Sequence, residues 1–367
     1  MNILFVCENY APHIGGAEIV FKTLAEELVQ RGTHVDIVTR RLKKTPAYEI
    51  LNGVHIHRVR SFDSRYFFTF CSVPRVLTLA RKADVIHTTT FNGAPPAWLA
   101  SRILRKKCIL TVHEVWVNRW REITDCSWLS AFVHNILEKM IYALPFDHYA
   151  CVSKHTRSAL THIGIPENKS SVVYNGVQYD VFHADVTASE PFSSFVYLCY
   201  GRPGPSKGIE AAVQAFAKIT DIVNTRLLLM LSKDSAYKKR YASIQRLVQQ
   251  LGIQDKVVFR EPLAWNMLPG FLKSVNCVVI PSFAECFCFA AAETAALNVP
   301  IVATTAGSLP EVVSGNVISV VPKNSDALAQ GMIDAFHGKY KLIPVKKFTI
   351  KENVDKYVAL YNELVKS

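Results

Sequence analysis

The sequence lacks several of the segments and motifs that define large protein classes. No run reaches about 18 consecutive apolar residues, so we expect no helix that crosses a membrane. None of the nine cysteines forms a Cys-x-x-Cys pair, the usual spacing of a structural zinc site. His55 and His57 alternate in a strand-like run, but no third ligand is evident beside them. The sequence therefore predicts no metal site, and it assigns these two histidines a structural role.

Signals for export are also absent from the sequence. Met1 leads directly into an apolar strand pattern, with no targeting peptide ahead of it. Several cysteines fall inside apolar runs, where a thiol behaves as a small hydrophobic side chain. We therefore expect a reducing, cytoplasmic location.

Positive charge is abundant and unevenly distributed. The formal net charge is +12, and residues 40–107 alone hold fourteen Lys or Arg against three Asp or Glu. Aromatic and basic residues are mixed in two stretches, 65–70 and 116–121. Such stretches suit an anionic membrane surface, stacking against a sugar, or a core aromatic cluster flanked by solvated charges. Nucleic acid is not predicted as a partner, because no recognition motif accompanies the charge.

Short apolar runs alternate with amphipathic helical stretches along the whole chain. Fully apolar runs in this alternation indicate parallel sheets covered by helices on both faces. The chain has 367 residues, enough for two such domains. A polar stretch at 183–191 separates two strand–helix series, so we place the domain boundary at residue 185. Examples of the apolar runs predicted as strands are Ile3–Cys7, Val35–Thr39, Cys108–Val112, Arg226–Leu231, Lys256–Phe259 and Ile301–Thr304.

The segment 281–293 carries the most information about function. It follows an apolar strand pattern and opens an alanine-rich helix, with Glu285 in the turn and Glu293 on the helix. Eight positions are a little over two helical turns, so the two carboxylates are too far apart to pair directly. We expect them to contact different parts of one extended ligand. The helix N-terminus between them suits an anion such as a pyrophosphate.

A second strand-to-helix turn occurs about eighty residues earlier. The segment 201–208 has the sequence Gly-Arg-Pro-Gly-Pro-Ser-Lys-Gly, and a helix is predicted over 209–219. Its glycines allow close approach of the backbone, and Arg202 and Lys207 can neutralise phosphate charge. The segment is neither a Walker A loop nor a Gly-x-Gly-x-x-Gly loop.

Together these turns resemble the nucleotide-sugar site of family 4 retaining glycosyltransferases, which have the GT-B fold. The resemblance extends over nearly the whole chain and includes the Pro12–Glu18 glycine loop and a strand that ends in His113. Further matching segments are Asp84–His87, Val152–Thr156, Asn175–Phe182 and Val302–Gly307. It implies an α/β protein with two Rossmann-like, doubly wound domains that face a cleft. Residues 1–185 would form the acceptor-side domain and residues 186–348 the nucleotide-sugar domain, with 349–367 a helix that crosses back to the first.

The resemblance also implies a role for each matching position. Glu293 would hydrogen-bond the ribose of the donor, while Arg202 and Lys207 would hold the diphosphate. Glu285 would lie beside the donor sugar, and His113 would contact that sugar near the reacting carbon. The remaining donor-binding positions are Gly15, Gly16, Cys286, Phe287, Cys288 and Phe289.

The chain departs from the family pattern at Cys286 and Cys288, where glycine is usual. If the backbone there has a positive φ, a cysteine costs on the order of 1 kcal/mol or more. If glycine is usual there only because it leaves space, the two thiols reduce the volume of the sugar pocket. Donor choice, and to a lesser degree activity, therefore depend on how this segment folds.

The function that the resemblance implies is a metal-independent hexosyl transfer with retention of configuration. The donor would be a UDP- or GDP-linked sugar, and no cofactor is predicted because the nucleotide sugar is a substrate. The basic, aromatic stretches favour a lipid-linked or polysaccharide glycan as the acceptor. With such an acceptor, we expect the protein to lie peripherally on the inner face of the membrane. Two alternatives stay open. One is a different enzyme on the same fold, such as a nucleotide-sugar epimerase or a glycan phosphorylase, and the other is a non-catalytic protein that binds nucleotide sugar.

Overall fold

Short apolar runs form the strands of two largely parallel sheets in the computed structural model. The structure describes residues 1–13, 15–190 and 192–366, so Ile14, Pro191 and Ser367 lie outside the described residues. The strands are β1 (Asn2–Val6), β2 (His34–Arg40), β3 (Tyr48–Leu51), β4 (Val54–Val59), β5 (Val85–Thr89), β6 (Lys107–Val112), β7 (His148–Cys151), β8 (Ser170–Val172), β9 (Phe195–Gly201), β10 (Thr225–Leu231), β11 (Val257–Arg260), β12 (Cys277–Ile280), β13 (Ile301–Thr304), β14 (Gly315–Val320) and β15 (Lys341–Ile343).

Helices connect nearly all of these strands. They are α1 (Gly16–Gln30), α2 (Arg65–Cys71), α3 (Val73–Ala80), α4 (Ala94–Leu104), α5 (Trp120–Ile123), α6 (Trp128–Ala143), α7 (Lys154–His162), α8 (Ile209–Ala217), α9 (Lys238–Gln250), α10 (Leu268–Ser274), α11 (Phe289–Ala296), α12 (Leu309–Val312), α13 (Ser325–Phe336) and α14 (Ile350–Lys366). Among the described residues, no helix combines the length and the apolar character that a membrane crossing requires.

The strand order confirms the predicted α/β class. The first sheet has eight strands in the order β3-β4-β2-β1-β5-β6-β7-β8, and the second has seven in the order β11-β10-β9-β12-β13-β14-β15. Neighbouring strands run parallel except for β3 beside β4 and β15 beside β14. The six apolar runs predicted as strands are all strands, with ends that differ by about one residue. The helix predicted over 209–219 ends earlier, at Ala217.

The chain divides into two compact units, each built on one sheet. The first unit contains residues 1–120, 127–176 and 349–367, and the second contains 121–126 and 177–348. The domain boundary placed at residue 185 stays a prediction.

The last helix, α14, packs on the core of the first unit. Tyr357 and Tyr361 are at most 1% exposed. The Tyr361 hydroxyl lies 2.7 Å from Nδ1 of His87, whose Nε2 lies 2.7 Å from the Thr111 hydroxyl. Burial lowers the pKa of His87 to about 3, so this histidine is a neutral core residue. The polar groups of two strands are thereby satisfied by the final helix of the chain.

Candidate functional site

Both predicted loops lie where the second sheet changes winding direction. β9 lies between β10 and β12, so the chain leaves it on one side and returns on the other. Ligands in open parallel sheets bind beyond the carboxyl ends of the strands at such a position. The loop 201–208 follows β9 and the loop 281–288 follows β12, which brings the two loops together at this position.

Backbone contacts lock the two loops to each other. The Phe283 N–H donates to the Ser206 carbonyl at 2.6 Å. Gly208 has a φ of +66°, and a Cβ there would lie 2.1 Å from the Pro281 carbonyl oxygen. Only glycine combines this backbone conformation with so close an approach. The glycine at position 208 therefore allows the two loops to lie this close together.

The predicted residues Lys207 and Glu285 form an ion pair across the loops. Lys207 Nζ lies 2.7 Å from Glu285 Oε1, and the Ser282 hydroxyl donates to the same oxygen at 2.7 Å. Burial lowers the pKa of Lys207, but the nearby Glu285 carboxylate more than offsets this, and the net shift is upward. Lys207 therefore stays positively charged at neutral pH.

Arg202 stands close to this ion pair but is solvent-exposed. Its charge opposes the protonation of Lys207, which indicates that the two cations share one electrostatic environment. Two cations beside a single carboxylate leave one positive charge uncompensated within this group. Such a group attracts a polyanion.

Glu293 is buried on α11, and its carboxylate accepts a hydrogen bond from Tyr200. The Tyr200 hydroxyl lies 3.0 Å from Glu293 Oε2 and 3.2 Å from the Ala290 carbonyl oxygen. Burial raises the pKa of Glu293 to about 7, while the Tyr200 hydrogen bond lowers it in part. A carboxylate that is costly to ionise gains free energy when further hydroxyl groups donate to it. In the described part of the chain no hydrogen bond joins Glu293 to Glu285, which agrees with their eight-residue spacing.

The two cysteines of this loop differ in backbone conformation. Cys288 has a φ of +70° and caps the N-terminus of α11, whereas Cys286 is not among the described residues with positive φ. A cysteine in this left-handed region costs on the order of 1 kcal/mol relative to glycine. Phe287 is buried and packs edge-on against Phe289 at 5.1 Å and Phe348 at 5.2 Å. These three aromatic rings hold the strained segment in place.

The glycine loop of the first unit lies at the start of α1. Gly15 caps this helix with an extended backbone, and a Cβ there would lie 2.2 Å from Glu18 Oε2. A Cβ at Gly16 would meet nothing within 4 Å. Ile14, which belongs to the predicted loop, lies outside the described residues. The loop therefore leaves open space beside Gly16, and Gly15 lets Glu18 fold back against the backbone.

His113 follows β6 and lines a pocket of about 120 Å³ in the first unit. Burial lowers its pKa to about 4, so the imidazole is neutral at pH 7. Its Nε2 is buried and has no hydrogen-bond partner among the described residues. A buried polar atom without a partner is costly, and a ligand hydroxyl in the pocket would satisfy it. The other side chains that line the pocket include Glu8, Glu18, Arg65, Phe91 and Glu114.

Two site residues were not predicted from the sequence, namely Tyr200 and Ser282. Both stand at the carboxyl ends of strands, where polar side chains in a parallel sheet point toward the ligand position. Their position at the ends of predicted strands is the sequence feature that could have identified both residues. The Tyr200–Glu293 and Ser282–Glu285 hydrogen bonds form because β9 and β12 are adjacent strands. The sequence pattern does not predict that these two strands are adjacent.

No metal centre accompanies these residues in the described ranges. No group of three or more His, Cys, Asp or Glu side chains there is arranged to hold a metal ion. The alternating histidines of β4 have other contacts, since His57 Nε2 lies 2.7 Å from Asp36 Oδ1 on the neighbouring strand β2.

Comparison with known proteins matches both halves of the chain to glycosyltransferase families. Residues 14–181 match the family model described as Glycosyltransferase Family 4, and residues 188–351 match Glycosyl transferases group 1. An uncharacterised glycosyltransferase of Methanocaldococcus jannaschii is 31% identical over 359 residues, which cover 90% of this chain and 88% of the relative. A D-inositol 3-phosphate glycosyltransferase of Xylanimonas cellulosilytica is 24% identical over 86% of this chain and 81% of its own length.

Solved structures show the same fold over the full length. Sucrose-phosphate synthase of Thermosynechococcus elongatus superposes with a TM-score of 0.77 at 21% identity, covering 99% of this chain and 96% of its own. HepE of Anabaena, solved in complex with UDP and glucose, has a TM-score of 0.71 at 18% identity and covers 100% of this chain and 97% of its own. At these identities the likeness shows the fold alone.

Proposed function

The chain belongs to the family 4 glycosyltransferases of the GT-B fold, and from this premise we propose a specific reaction. The protein transfers a hexose from a UDP- or GDP-linked sugar to an acceptor hydroxyl, with retention of configuration and without a metal ion. The acceptor is a glycan, either lipid-linked or part of a polysaccharide. The UDP bound by HepE supports a uridine donor as the first to test.

One observation carries the proposal, namely the grouping of charges at the switch point of the second sheet. Lys207, Arg202 and Glu285 lie on two loops that are locked together, and Glu293 is buried beneath the same loops. The start of α11 adds unpaired N–H groups and the positive end of the helix dipole. This combination of cations, N–H donors and a buried carboxylate suits a nucleoside diphosphate.

The charges suggest how the leaving group would be stabilised. The bond between the anomeric carbon and the diphosphate oxygen breaks, which increases negative charge on the diphosphate. Lys207 and Arg202 would stabilise that charge, and preorganised cations act most strongly where charge develops in the transition state. The acceptor oxygen bonds to the same carbon from the face that the diphosphate leaves, and its proton passes to the departing phosphate.

We also propose a role for each carboxylate and for His113. Glu293 would accept hydrogen bonds from the ribose hydroxyls, which favours its ionised form despite its burial. Glu285 would lie beside the sugar and keep Lys207 in position through their ion pair. His113 would use its unpaired Nε2 with a sugar hydroxyl, a role that rests on the family resemblance.

A binding protein without transferase activity is the alternative, and the left-handed Cys288 favours it. The thiol of Cys288 stands where the family has only a hydrogen atom, which reduces the space available to the sugar. Such a protein would bind a nucleotide or nucleotide sugar and leave it unchanged with any acceptor. Release of free nucleoside diphosphate in the presence of an acceptor separates the two functions.

The decisive experiment is a thermal-shift titration with UDP, GDP, ADP and their sugar conjugates. Wild-type protein should be stabilised by one base, and Glu293→Ala should weaken that stabilisation. Lys207→Ala should lower turnover with the same donor at saturation by about 10² to 10³, the usual loss when one preorganised charge is removed. Nucleoside diphosphate release measures the turnover.

Lys218→Ala is the matched control, because Lys218 belongs to the same unit and pairs with the exposed Asp326 away from the two loops. Its titration and turnover should equal those of the wild type. Folded protein that responds to none of the nucleotides would contradict the donor site. Turnover that survives Lys207→Ala would contradict the role of this lysine.

A further inference from the structure

Helix α6 presents a continuous apolar face to solvent. Seven large apolar side chains are between 39% and 64% exposed along its 16 residues. They follow the spacing i, i+1, i+4, i+5, i+8, i+9 and i+12, so they lie on one face over about 18 Å. These residues, which we call the α6 apolar face, are Trp128, Leu129, Phe132, Val133, Ile136, Leu137 and Met140. Soluble monomers rarely expose so large a contiguous apolar surface without a function.

The opposite side of α6 is buried and anchored in the first unit, with Ala131, Glu138, Ile141 and Tyr142 facing inward. The buried carboxylate of Glu138 accepts hydrogen bonds from the Trp116 N–H at 2.8 Å and from Trp120 Nε1 at 2.7 Å. The Asn118 N–H donates to Asn135 Oδ1 at 2.6 Å. Turning the helix to bury its apolar face would break these bonds and leave polar groups unpaired. The exposed orientation is therefore held by specific contacts.

Aromatic residues around α2 adjoin this face. The Tyr66 hydroxyl of α2 lies 2.9 Å from Nε2 of His134 on α6, which joins the two helices. Phe62, Phe67 and Phe70 are between 54% and 83% exposed. The Phe62 and Phe67 rings lie 6.0 Å apart, edge to face. The α2 segment, which contacts α6 through Tyr66, thus also exposes aromatic rings.

The charges around this surface are positive. No exposed side chain of α6 or α2 is acidic, because the single carboxylate on these two helices is the buried Glu138. Lys139 is exposed on α6, and Lys43 pairs only loosely with Asp63 at 3.9 Å, whereas the exposed Arg65 of α2 lies 3.2 Å from the Glu8 carboxylate. Nearly all of the chain's net charge comes from the block 40–107, which contains α2. A second copy of the chain would bring like charge against this surface, whereas an anionic surface complements it.

We propose that the α6 apolar face, together with Phe62, Phe67 and Phe70, docks on an anionic lipid bilayer. The helix lies in the plane of the headgroups, with its apolar side chains at the acyl boundary and the lysines and arginines at the lipid phosphates. The role of this docking, which is to bring the enzyme to a lipid-linked acceptor, rests on the proposed function. The docking itself requires neither nucleotide nor acceptor.

Sequence patterns indicated two stretches of this region, 65–70 and 116–121, and only the first contributes exposed rings to the proposed surface. The stretch 116–121 mixes aromatic and basic residues, but Trp120 is buried and stacks on His134 at 4.7 Å. Trp116 lies edge-on to Trp120 at 4.8 Å. That stretch forms the support beneath α6, and the lipid-facing residues lie on the helix that follows it.

Flotation with lipid vesicles tests the proposal. The wild type should bind vesicles that contain phosphatidylglycerol at low ionic strength, and bind phosphatidylcholine vesicles more weakly. Phe132→Glu with Met140→Glu should weaken partitioning at least about tenfold, because two apolar anchors become anions at an anionic surface. Ile222→Glu with Leu342→Glu is the matched control, since both residues are exposed apolar residues of the second unit, and its binding should equal that of the wild type.

Trp128 provides a second readout that reports depth. Brominated lipids should quench part of the tryptophan fluorescence of vesicle-bound protein, and Trp128→Phe should remove most of that quenching. Trp265→Phe should not, because Trp265 belongs to the second unit and packs against Phe182 at 5.0 Å. Quenching that is unchanged by Trp128→Phe would overturn the assignment of this face.

Other outcomes overturn the proposal in different ways. Absence of vesicle binding at low ionic strength, or equal binding by Phe132→Glu/Met140→Glu, removes the docking surface. Equal binding to both vesicle types removes its anionic character. A dimer in sedimentation velocity that the double variant dissociates, without vesicle binding, makes the face an interface between copies. If the protein does not bind vesicles but is still stabilised by a nucleotide, the docking proposal fails and the proposed function stands. If it binds vesicles but responds to no nucleotide, the docking proposal stands and the proposed function fails.

Discussion

Helices α6 and α14 have the same kind of sequence pattern and opposite orientations in the first unit. Both are long, with 16 and 17 residues, and both carry large apolar side chains at helical spacing. In α14 these side chains point inward, and Val354, Tyr357 and Tyr361 are almost fully buried. In α6 seven of them point outward, while Ala131, Glu138, Ile141 and Tyr142 face the unit. Periodicity therefore identifies which residues share a face and leaves open the direction of that face.

The inward contacts of the two helices explain the difference. α14 offers two tyrosine hydroxyls that reach His87 and Thr111, and its apolar rings fill the space between them. α6 offers a carboxylate and an amide to three N–H groups of the segment before it. Polar groups that are buried must be paired, so the position of partners decides which face turns inward. Substitutions on each helix can test this explanation.

The largest effect is expected from Tyr361→Ala on α14. The substitution removes a buried aromatic ring and leaves Nδ1 of His87 without its 2.7 Å partner. We expect a loss of about 3–5 kcal/mol in the free energy of unfolding, as for other buried aromatic residues. Chemical denaturation followed by circular dichroism measures it. A loss below about 1 kcal/mol would show that α14 is not part of the core.

A smaller effect is expected from Glu138→Gln on α6. The amide can accept one of the two N–H groups but not both, so we expect a loss of about 1–3 kcal/mol near pH 5. Burial raises the pKa of Glu138 above its usual value of 4.5, although the Trp116 and Trp120 N–H groups partly oppose the shift. A group whose pKa is raised in the folded state stabilises the protein below its pKa in the unfolded state. This stabilisation is lost as the pH rises through the folded-state pKa.

Denaturation of Glu138→Gln across pH therefore has a predicted direction. The stability advantage of the wild type over the variant should shrink between pH 5 and neutral pH. Asp326→Asn supplies the control for pH alone, because Asp326 is exposed and pairs with Lys218 on the surface. A difference between wild type and Glu138→Gln that grows with pH would contradict the buried environment of this carboxylate.

The smallest effect is expected from Phe132→Ser on α6. The ring is half-exposed, so its removal should change the free energy of unfolding by at most about 0.5 kcal/mol. Leu342→Ser, an exposed apolar position of the second unit, should behave alike. Destabilisation comparable with that of Tyr361→Ala would mean that the α6 apolar face is covered in solution, and the comparison between the helices would fail.

The second unit shows how far sequence reasoning extends at the candidate site. The segments 201–208 and 281–293 were predicted as strand-to-helix turns with Arg202, Lys207 and the two glutamates, and the structure has both turns. The Lys207–Glu285 ion pair joins residues 78 positions apart, and it depends on β12 lying beside β9. Single-sequence patterns predict strands but do not state their order, so Tyr200 and Ser282 were missed. The functional roles of these residues stay predictions.

The sequence by itself determined the fold class, the strand positions and the two candidate loops. Apolar runs in alternation with amphipathic helices have few stable arrangements, and glycine or charge at strand ends is a local property of the chain. Only the tertiary structure decided that Cys288 adopts a left-handed conformation and that α6 turns its apolar side to solvent. Both outcomes depend on partners distant in sequence or on the packing of a whole loop. Hydrophobic periodicity identifies an apolar face of a helix, but it does not say whether that face is buried or exposed until such partners are in place.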